Sequence, residues 1–332
     1  MLLTWTSLRA RLGTVLRSRS ALLAAVLVVA VVLAGCRQSL ADPTDASAAT
    51  TTVTDGMGKT VEMPADPQRA LGFYTTDVDI LITLGIPLAP MQPIRGDGYT
   101  DFPTFFPQQE LQGVSTYGNY PEYNFEKTLE ADPDLILNGL GYDDGTVSRL
   151  PEIAPTYSVN AFDGEDWRKT FEATAKNLGR TEEYRAWTDS YADRLRQAKQ
   201  EIAASGADQK KVATIGYRQG EFSVNCYGVS CWVLRDDLGL PVPEEMQTTD
   251  ATLSAEQLSR LKDVDVAFMS SLPGPDGKKE YEQMLAELEK IPTWRDLEFV
   301  KNNEIYTYDM EMEYGSPSGH SAFLNVARKA LT

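Results

Sequence analysis

From Thr181 to Ala204 the chain runs twenty-four residues without a glycine or a proline. Tyr184, Trp187, Tyr191, Leu195, Ala198 and Ile202 recur there at spacings of three and four. Side chains three and four apart share one face of an α-helix, so the pattern predicts one continuous helix with a single apolar stripe. At 1.5 Å rise per residue its length is about 36 Å. Thr181, followed by Glu182 and Glu183, suits its start, because acidic groups favour the positive end of a helix. Two readings follow: an ordinary surface helix, or a rigid strut joining two lobes. Gly206 and Asp208 would then open the second lobe.

The flanks give the strut something to join. Short apolar runs alternate with longer amphipathic segments on both sides. Arg69–Tyr74, Asp134–Asn138, Lys211–Tyr217, Asp263–Met269 and Glu304–Tyr308 read as strands. Thr76–Leu84 reads as a helix ended by Gly85, with Pro87 beyond it. Strands separated by helices in this rhythm predict βαβ units and mostly parallel sheets. The fold class is therefore α/β: two lobes with mostly parallel sheets flanked by helices, joined by one long α-helix. No repeat of 20–50 residues shows, which excludes solenoids and propellers.

The N-terminus is of another kind. Arg9, Arg11, Arg17 and Arg19 precede an apolar run from Ala21 to Ala34, with no acidic residue among them. The run suits a signal-peptide core and is short of the roughly 20 residues a membrane-spanning helix needs. It ends in Leu33, Ala34, Gly35 and Cys36, which resembles the lipobox of bacterial lipoproteins. That resemblance implies cleavage before Cys36 and acylation of the new terminus; an uncleaved anchor is the alternative. Either way the rest of the chain lies outside the cytoplasm, held to a membrane. Residues 37–52 are poor in large apolar side chains and read as a flexible tether. The expected organisation is 1–35 signal peptide, 36–52 lipidated tether, 53–180 N-terminal lobe, 181–205 connecting helix and 206–332 C-terminal lobe.

Without the four leader arginines, 27 basic residues face 48 acidic ones, a net charge of −21. That sign argues against nucleic acid or anionic lipid as a partner. Cys226 and Cys231 form a Cys-x4-Cys pair, which an oxidising compartment would close as a disulfide. A metal site would need two more ligands, and no histidine lies nearby.

Several ordered stretches carry a family resemblance. Asp55-Gly-Met-Gly-Lys-Thr-Val61 with Pro64 and Pro67-Gln-Arg69, the segment Phe125–Leu137, and Leu178-Gly-Arg180 are three of them. Leu253–Leu258 with Asp263–Phe268, and Pro292–Leu297 with Val300–Asn303 and Ile305-Tyr306, complete the set. In this order they resemble the siderophore- and cobalamin-type substrate-binding proteins of ABC importers, from Asp55 to the C-terminus. The resemblance implies a ligand cleft between the lobes, a small closing motion, a monomer, and no catalytic step. It implies delivery of an iron(III)–siderophore complex, hydroxamate in type, to the permease subunits of the transporter. It also implies docking through one acid on each lobe, which falls on Glu126 and Glu256. For each, a helix-start glutamate favoured by the dipole is the bland alternative.

Cleft residues belong in loops after the strands. The first lobe nominates Tyr74, Arg95, Tyr99, Tyr117 and Tyr142; the second nominates Arg218, Phe222, Trp232, Glu311 and Tyr314. Arg95 or Arg218 would donate to chelate oxygens, and aromatic side chains would form rigid walls. Three readings stay open for Glu311 and Glu313: contacts for a cationic ligand such as a ferrioxamine, solvated loop charges, or permease contacts. No cofactor and no protein-held metal are expected. The single histidine, His320, reads as structural, at a helix start. Heme and cobalamin are the alternative ligands. A secreted hydrolase is remote: Gly315-Ser-Pro-Ser-Gly319 holds Pro317 where a nucleophile elbow needs serine.

Overall fold

A computed structural model of the protein describes residues 49–332. The signal peptide, Cys36 and most of the tether lie outside the described residues. β1 (Thr50–Thr54) and β2 (Thr60–Pro64) open it as an antiparallel pair, with Thr50 opposite Pro64. The folded chain thus begins no later than Thr50, inside the stretch expected as tether. Threonines are polar yet β-branched, so a strand made of them hides in a composition-based reading. Asp55 turns the hairpin by accepting from the backbone N–H groups of Met57 and Lys59, at 3.0 and 2.8 Å.

The first lobe follows as β3 (Ala70–Gly72), α1 (Thr75–Thr83), β4 (Met91–Ile94), β5 (Ser115–Gly118), α2 (Phe125–Glu130), β6 (Leu135–Asn138), α3 (Asp144–Arg149), β7 (Thr156–Ser158) and α4 (Trp167–Asn177). Strands β3, β6 and β7 form one parallel sheet in the order β3-β6-β7, and β4 pairs in parallel with β5. A single parallel bridge, Ala70 to Leu88, brings the two sheets together. The buried Gln92 completes that seam. Its Oε1 accepts from Gly72 N–H at 3.0 Å and its Nε2 donates to the Ala70 carbonyl at 2.8 Å. An amide side chain there does the work of a missing stretch of ladder. A Cβ on Gly72 would lie 2.4 Å from the Val78 nitrogen, so glycine lets β3 turn tightly into α1.

The long helix α5 spans Thr181–Ser205, within one residue of the sequence reading, and Gly206 ends it at φ 78°. Trp187, Tyr191, Ala198 and Ile202 of its stripe are buried, and Tyr184 and Leu195 are half-buried. Arg180, not Thr181, occupies the cap position, with no side-chain hydrogen bond there.

Beyond it lie β8 (Val212–Thr214), β9 (Gly216–Arg218), β10 (Glu221–Ser223), β11 (Thr252–Leu253), β12 (Val266–Ser271), α6 (Gly274–Leu288), β13 (Ile305–Asp309) and α7 (Pro317–Leu331). β8, β12 and β13 form a parallel sheet with β12 central; β9, β10 and β11 pair antiparallel. The two lobes use one device to start their central strands. Asp134 before β6 accepts from Arg69 N–H at 3.0 Å, and Asp265 before β12 accepts from Lys211 N–H at 2.7 Å. Among the described residues, no helix is long and apolar enough to cross a membrane.

One buried node ties the lobes to the strut. His320 of α7 is fully buried between Trp167 of α4, Tyr191 of α5 and Asp237 of the second lobe. Trp167 Nε1 donates to His320 Nδ1 at 3.1 Å. An indole N–H can only donate, so Nδ1 carries no proton and the neutral ring is protonated on Nε2. That N–H meets Asp237 Oδ2 at 2.8 Å. Arg168 and the Tyr191 hydroxyl add bonds to Asp237 at 2.8 and 2.5 Å. Burial lowers the pKa of His320, which keeps the ring neutral. Burial pushes Asp237 up as well, but its bonds from His320, Arg168 and Tyr191 outweigh that and hold it at about 2. A second tie joins α1 to α7: buried Asp79 accepts from Ser318 N–H at 2.6 Å.

Two outcomes test this frame. Gln92→Leu strands Gly72 N–H and the Ala70 carbonyl, and urea unfolding should show a loss of about 1–3 kcal/mol. Asp237 titrates lower in the fold, at about 2, than its ordinary 3.8, so its contribution is complete above 3.8 and fades as pH falls through 2. Asp237→Asn should therefore cost about 2 kcal/mol near neutral pH and progressively less below pH 4. An equal cost at both ends of that range would contradict the node.

Candidate functional site

The C-terminal ends of the parallel strands in both lobes face each other. From the first lobe, β3 leads to Tyr74, β4 to Arg95, β6 to the Gly139–Tyr142 turn and β7 to Phe162. From the second, β12 ends at Ser270 and Ser271, and β13 runs into a 3-10 turn, Met310–Met312, that carries Glu311. The open ends of such strands are where α/β folds hold ligands.

Arg95 is the centre of this face, buried to 8 % exposure. Its Nη1 donates to the Tyr74 hydroxyl at 2.9 Å and lies 3.6 Å from Glu311 Oε1. Nε and Nη2 reach Asp97 Oδ2 at 3.4 and 3.3 Å. The guanidinium also lies over the rings of Tyr120 and Tyr314, at 4.6 and 5.3 Å from their centroids. A planar cation between two aromatic faces is held without losing its charge. Burial alone would lower its pKa, but Tyr74, Tyr314 and Glu311 outweigh that and raise it. Glu311 has the opposite balance. Burial pushes its carboxyl up to about 8, and the attraction of Arg95 only partly offsets this.

The contacts cross between the lobes at several points. The Tyr74 hydroxyl approaches Glu311 Oε1 at 3.4 Å, and the Tyr99 hydroxyl donates to Asp309. Tyr227 donates to the Phe162 carbonyl at 3.0 Å. Around them runs an aromatic wall. Phe162 meets Tyr74 edge-on at 5.5 Å, Tyr314 at 5.7 Å and Tyr142 at 6.0 Å. Tyr120, Tyr142 and Tyr227 remain 39, 54 and 40 % exposed, so each leaves a ring face open beside Arg95 or Phe162. Next to the wall is a hollow of about 290 Å³ lined by Tyr227, Tyr314, Glu313 and Ser270. A larger one, about 560 Å³, opens in the second lobe between Arg218, Ser271, Tyr281 and Met310.

Seven of the ten nominated ligand residues thus lie on this face or its hollows: Tyr74, Arg95, Tyr99, Tyr142, Arg218, Glu311 and Tyr314. Three do not. Tyr117 points into its own lobe, with its hydroxyl 2.9 Å from Thr128 Oγ1. Phe222 is fully buried against Trp294 and Tyr217, because β10 alternates and its middle residue faces the core. Trp232 opens a π-helical turn, Trp232–Asp237, that turns the indole into the second-lobe core. Glu313 is a half-buried acceptor for Ser230 and Tyr308, both at 2.9 Å, rather than a solvated loop charge. Phe162 and Tyr227 were not nominated. Phe162 follows β7, three residues too short to stand out as a strand, and Tyr227 sits inside the closed Cys226–Cys231 disulfide.

His320 has both ring nitrogens engaged within the node, which leaves no lone pair for a ligand. Glu126 and Glu256 are exposed, each the second residue of a capped helical turn. Asn124 accepts from Lys127 N–H at 3.0 Å before Glu126. Ser254 closes a reciprocal box with Gln257 before Glu256.

A protein-family model described as "Periplasmic binding protein" matches residues 76–312. The probable siderophore-binding lipoprotein YfiY of Bacillus subtilis (strain 168) is 24 % identical over 295 residues, covering 85 % of this chain and 88 % of the relative. Staphylococcus aureus SirA, in its structure complexed with staphyloferrin B, superposes with a TM-score of 0.66 at 20 % identity, covering 85 % of this chain and 98 % of that one. Staphylococcus aureus FhuD2 with bound ferrioxamine B gives 0.60 at 19 % identity, covering 80 and 98 %. Two α/β lobes, a helical strut and a face built from both sheets agree with the match over residues 76–312: the chain belongs to the periplasmic binding protein family.

Proposed function

We propose that this protein captures a ferric siderophore, hydroxamate in type, between its lobes and delivers it to an ABC permease for iron uptake. The observation that carries the reading is Arg95, a buried guanidinium flanked by two tyrosine rings where the lobes meet. A ferric siderophore is a rounded complex with chelate oxygens on one side and apolar linkers elsewhere. Arg95 suits the oxygens, and the partly exposed Tyr120, Tyr142 and Tyr227 suit the linkers. YfiY is described as siderophore-binding, SirA was solved with staphyloferrin B and FhuD2 with ferrioxamine B, which supports a siderophore as the ligand. The siderophore fills the iron's coordination sphere, so the protein binds the complex without ligating the metal, and no chemical step is involved. Cys36 anchors the chain by lipid on the outer side of the membrane, as a monomer, with 50–180 and 206–332 acting as the two lobes about the helix 181–205.

Delivery runs through Glu126 and Glu256. Both are exposed at equivalent places in the two lobes, and Leu129, on the same turn as Glu126, is 62 % exposed. An apolar side chain that open beside an acid suits a contact with another protein.

Intrinsic-fluorescence titration of the full chain should show saturable quenching by a ferric hydroxamate at sub-micromolar concentration. Arg95→Ala should weaken that binding about tenfold to a hundredfold, the worth of a charge-assisted hydrogen bond. Quenching by heme or cobalamin alone would transfer the function to those ligands. Replacing Glu126 and Glu256 together by alanine should abolish uptake of the radiolabelled iron complex and leave its affinity intact. Lost affinity would refute their docking role.

A further inference from the structure

We propose that Tyr227 is the residue with which the second lobe closes on the first, and that the Cys226–Cys231 disulfide serves to position it. Closure of this kind sets how long a ligand is retained, and that part rests on the siderophore reading above.

Residues 226–231 lie between β10 and β11 and form a loop closed on itself by the disulfide. Five of the six are buried; Tyr227 alone is exposed, at 40 %. Its side chain therefore adds little to the core of its own lobe. It reaches instead to the first lobe, where its hydroxyl donates to the Phe162 carbonyl at 3.0 Å. Its ring covers Gly164, where an added Cβ would lie 3.7 Å from the ring edge. Phe162 is also where Tyr74, Tyr142 and Tyr314 converge, so the bond holds the middle of the aromatic wall.

A latch works well only if its arm is already in place, because ordering a loose loop on each closure costs conformational entropy. The residues around Tyr227 are fixed from both sides. Cys226 N–H donates to the Thr248 carbonyl at 2.7 Å, and Val229 N–H to the Glu313 carbonyl at 3.2 Å. Ser230 Oγ donates to Glu313 Oε1 at 2.9 Å. Gly228 lies so close to that carboxyl that a Cβ there would sit 2.2 Å from Oε1. Glu313 precedes Tyr314, so these bonds tie the loop to the second lobe's own share of the wall. The disulfide adds a covalent tie at the residue immediately before Tyr227. Closing so short a loop takes less entropy from the unfolded chain than closing a long one, which favours positioning over global stability as its role.

The test follows association and dissociation of ferrioxamine B by stopped-flow fluorescence on the full chain in detergent. Tyr227→Phe keeps the ring and removes the donor. It should speed dissociation about three- to tenfold, the worth of one neutral hydrogen bond, and leave association within about twofold. Cys226→Ala with Cys231→Ala should speed dissociation at least as much. Added to that pair, Tyr227→Phe should have almost no further effect, because the contact it removes is already lost. Dissociation unchanged by Tyr227→Phe alone would overturn the proposal, and so would effects that simply multiply, which mark the disulfide as an independent structural staple. Hydrogen exchange of the ligand-free chain reads the latch without any ligand: segment 160–166 should exchange faster in Tyr227→Phe. Should the unaltered chain bind no ferric complex, the siderophore reading fails; faster exchange then keeps the latch, and unchanged exchange sinks it too.

Discussion

The buried node around Asp237 and His320, reached by Arg168 and Trp167 of the first lobe and Tyr191 of the strut, fixes how the two halves of this molecule sit. Around it meet a helix of the first lobe, the strut, a turn of the second lobe and the last helix, through Trp167, Tyr191, Asp237 and His320. A charged aspartate at 8 % exposure is tolerable because Arg168, His320 and Tyr191 all donate to it. Every partner occupies a determined place, so the node acts as a registration point. Displacing one element by an ångström would leave a buried polar group unpaired. Asp79, holding the start of α7 from α1, repeats the principle a short way off.

The face between the lobes depends on that registration, because neither lobe owns it. Arg95, Tyr74 and Phe162 come from the first lobe, and Glu311, Tyr314 and Tyr227 from the second. Their mutual contacts close the face as described: Arg95 on Glu311, Tyr99 on Asp309, Tyr227 on the Phe162 carbonyl. A ligand entering here exchanges part of this polar seam for its own contacts. A continuous helix as strut, packed along its length by α7, permits a small rotation more readily than a wide swing. That suits a face whose residues latch the lobes to each other.

What the sequence disclosed divides along physical lines. The strut was plain because twenty-four residues share one uninterrupted period, and packing follows that period almost residue for residue. The parallel strands β6, β8, β12 and β13 stood out as compact apolar runs. The loops after them could be located, but not the direction of each side chain within them. Phe222 and Trp232 sit close to the cleft in sequence and face the core, one by strand alternation and the other by a π-helical turn. Gln92 gave no sign of its role, since an amide that replaces backbone pairing is visible only when two strands fail to meet. The sequence left three readings open for Glu311; the buried guanidinium opposite it comes from 216 positions earlier in the chain, beyond the reach of any local pattern.

The account stands or falls on where the iron goes. A crystal structure of the protein grown with a ferric hydroxamate, with diffraction recorded at the iron absorption edge, locates the metal without assumptions about the ligand's shape. The account predicts a single anomalous peak between the lobes, with chelate oxygens within hydrogen-bond distance of Arg95 and the rings of Tyr120, Tyr142 and Tyr227 around the linkers. An iron peak on the strut side of the molecule, or one coordinated directly by protein side chains, would contradict it.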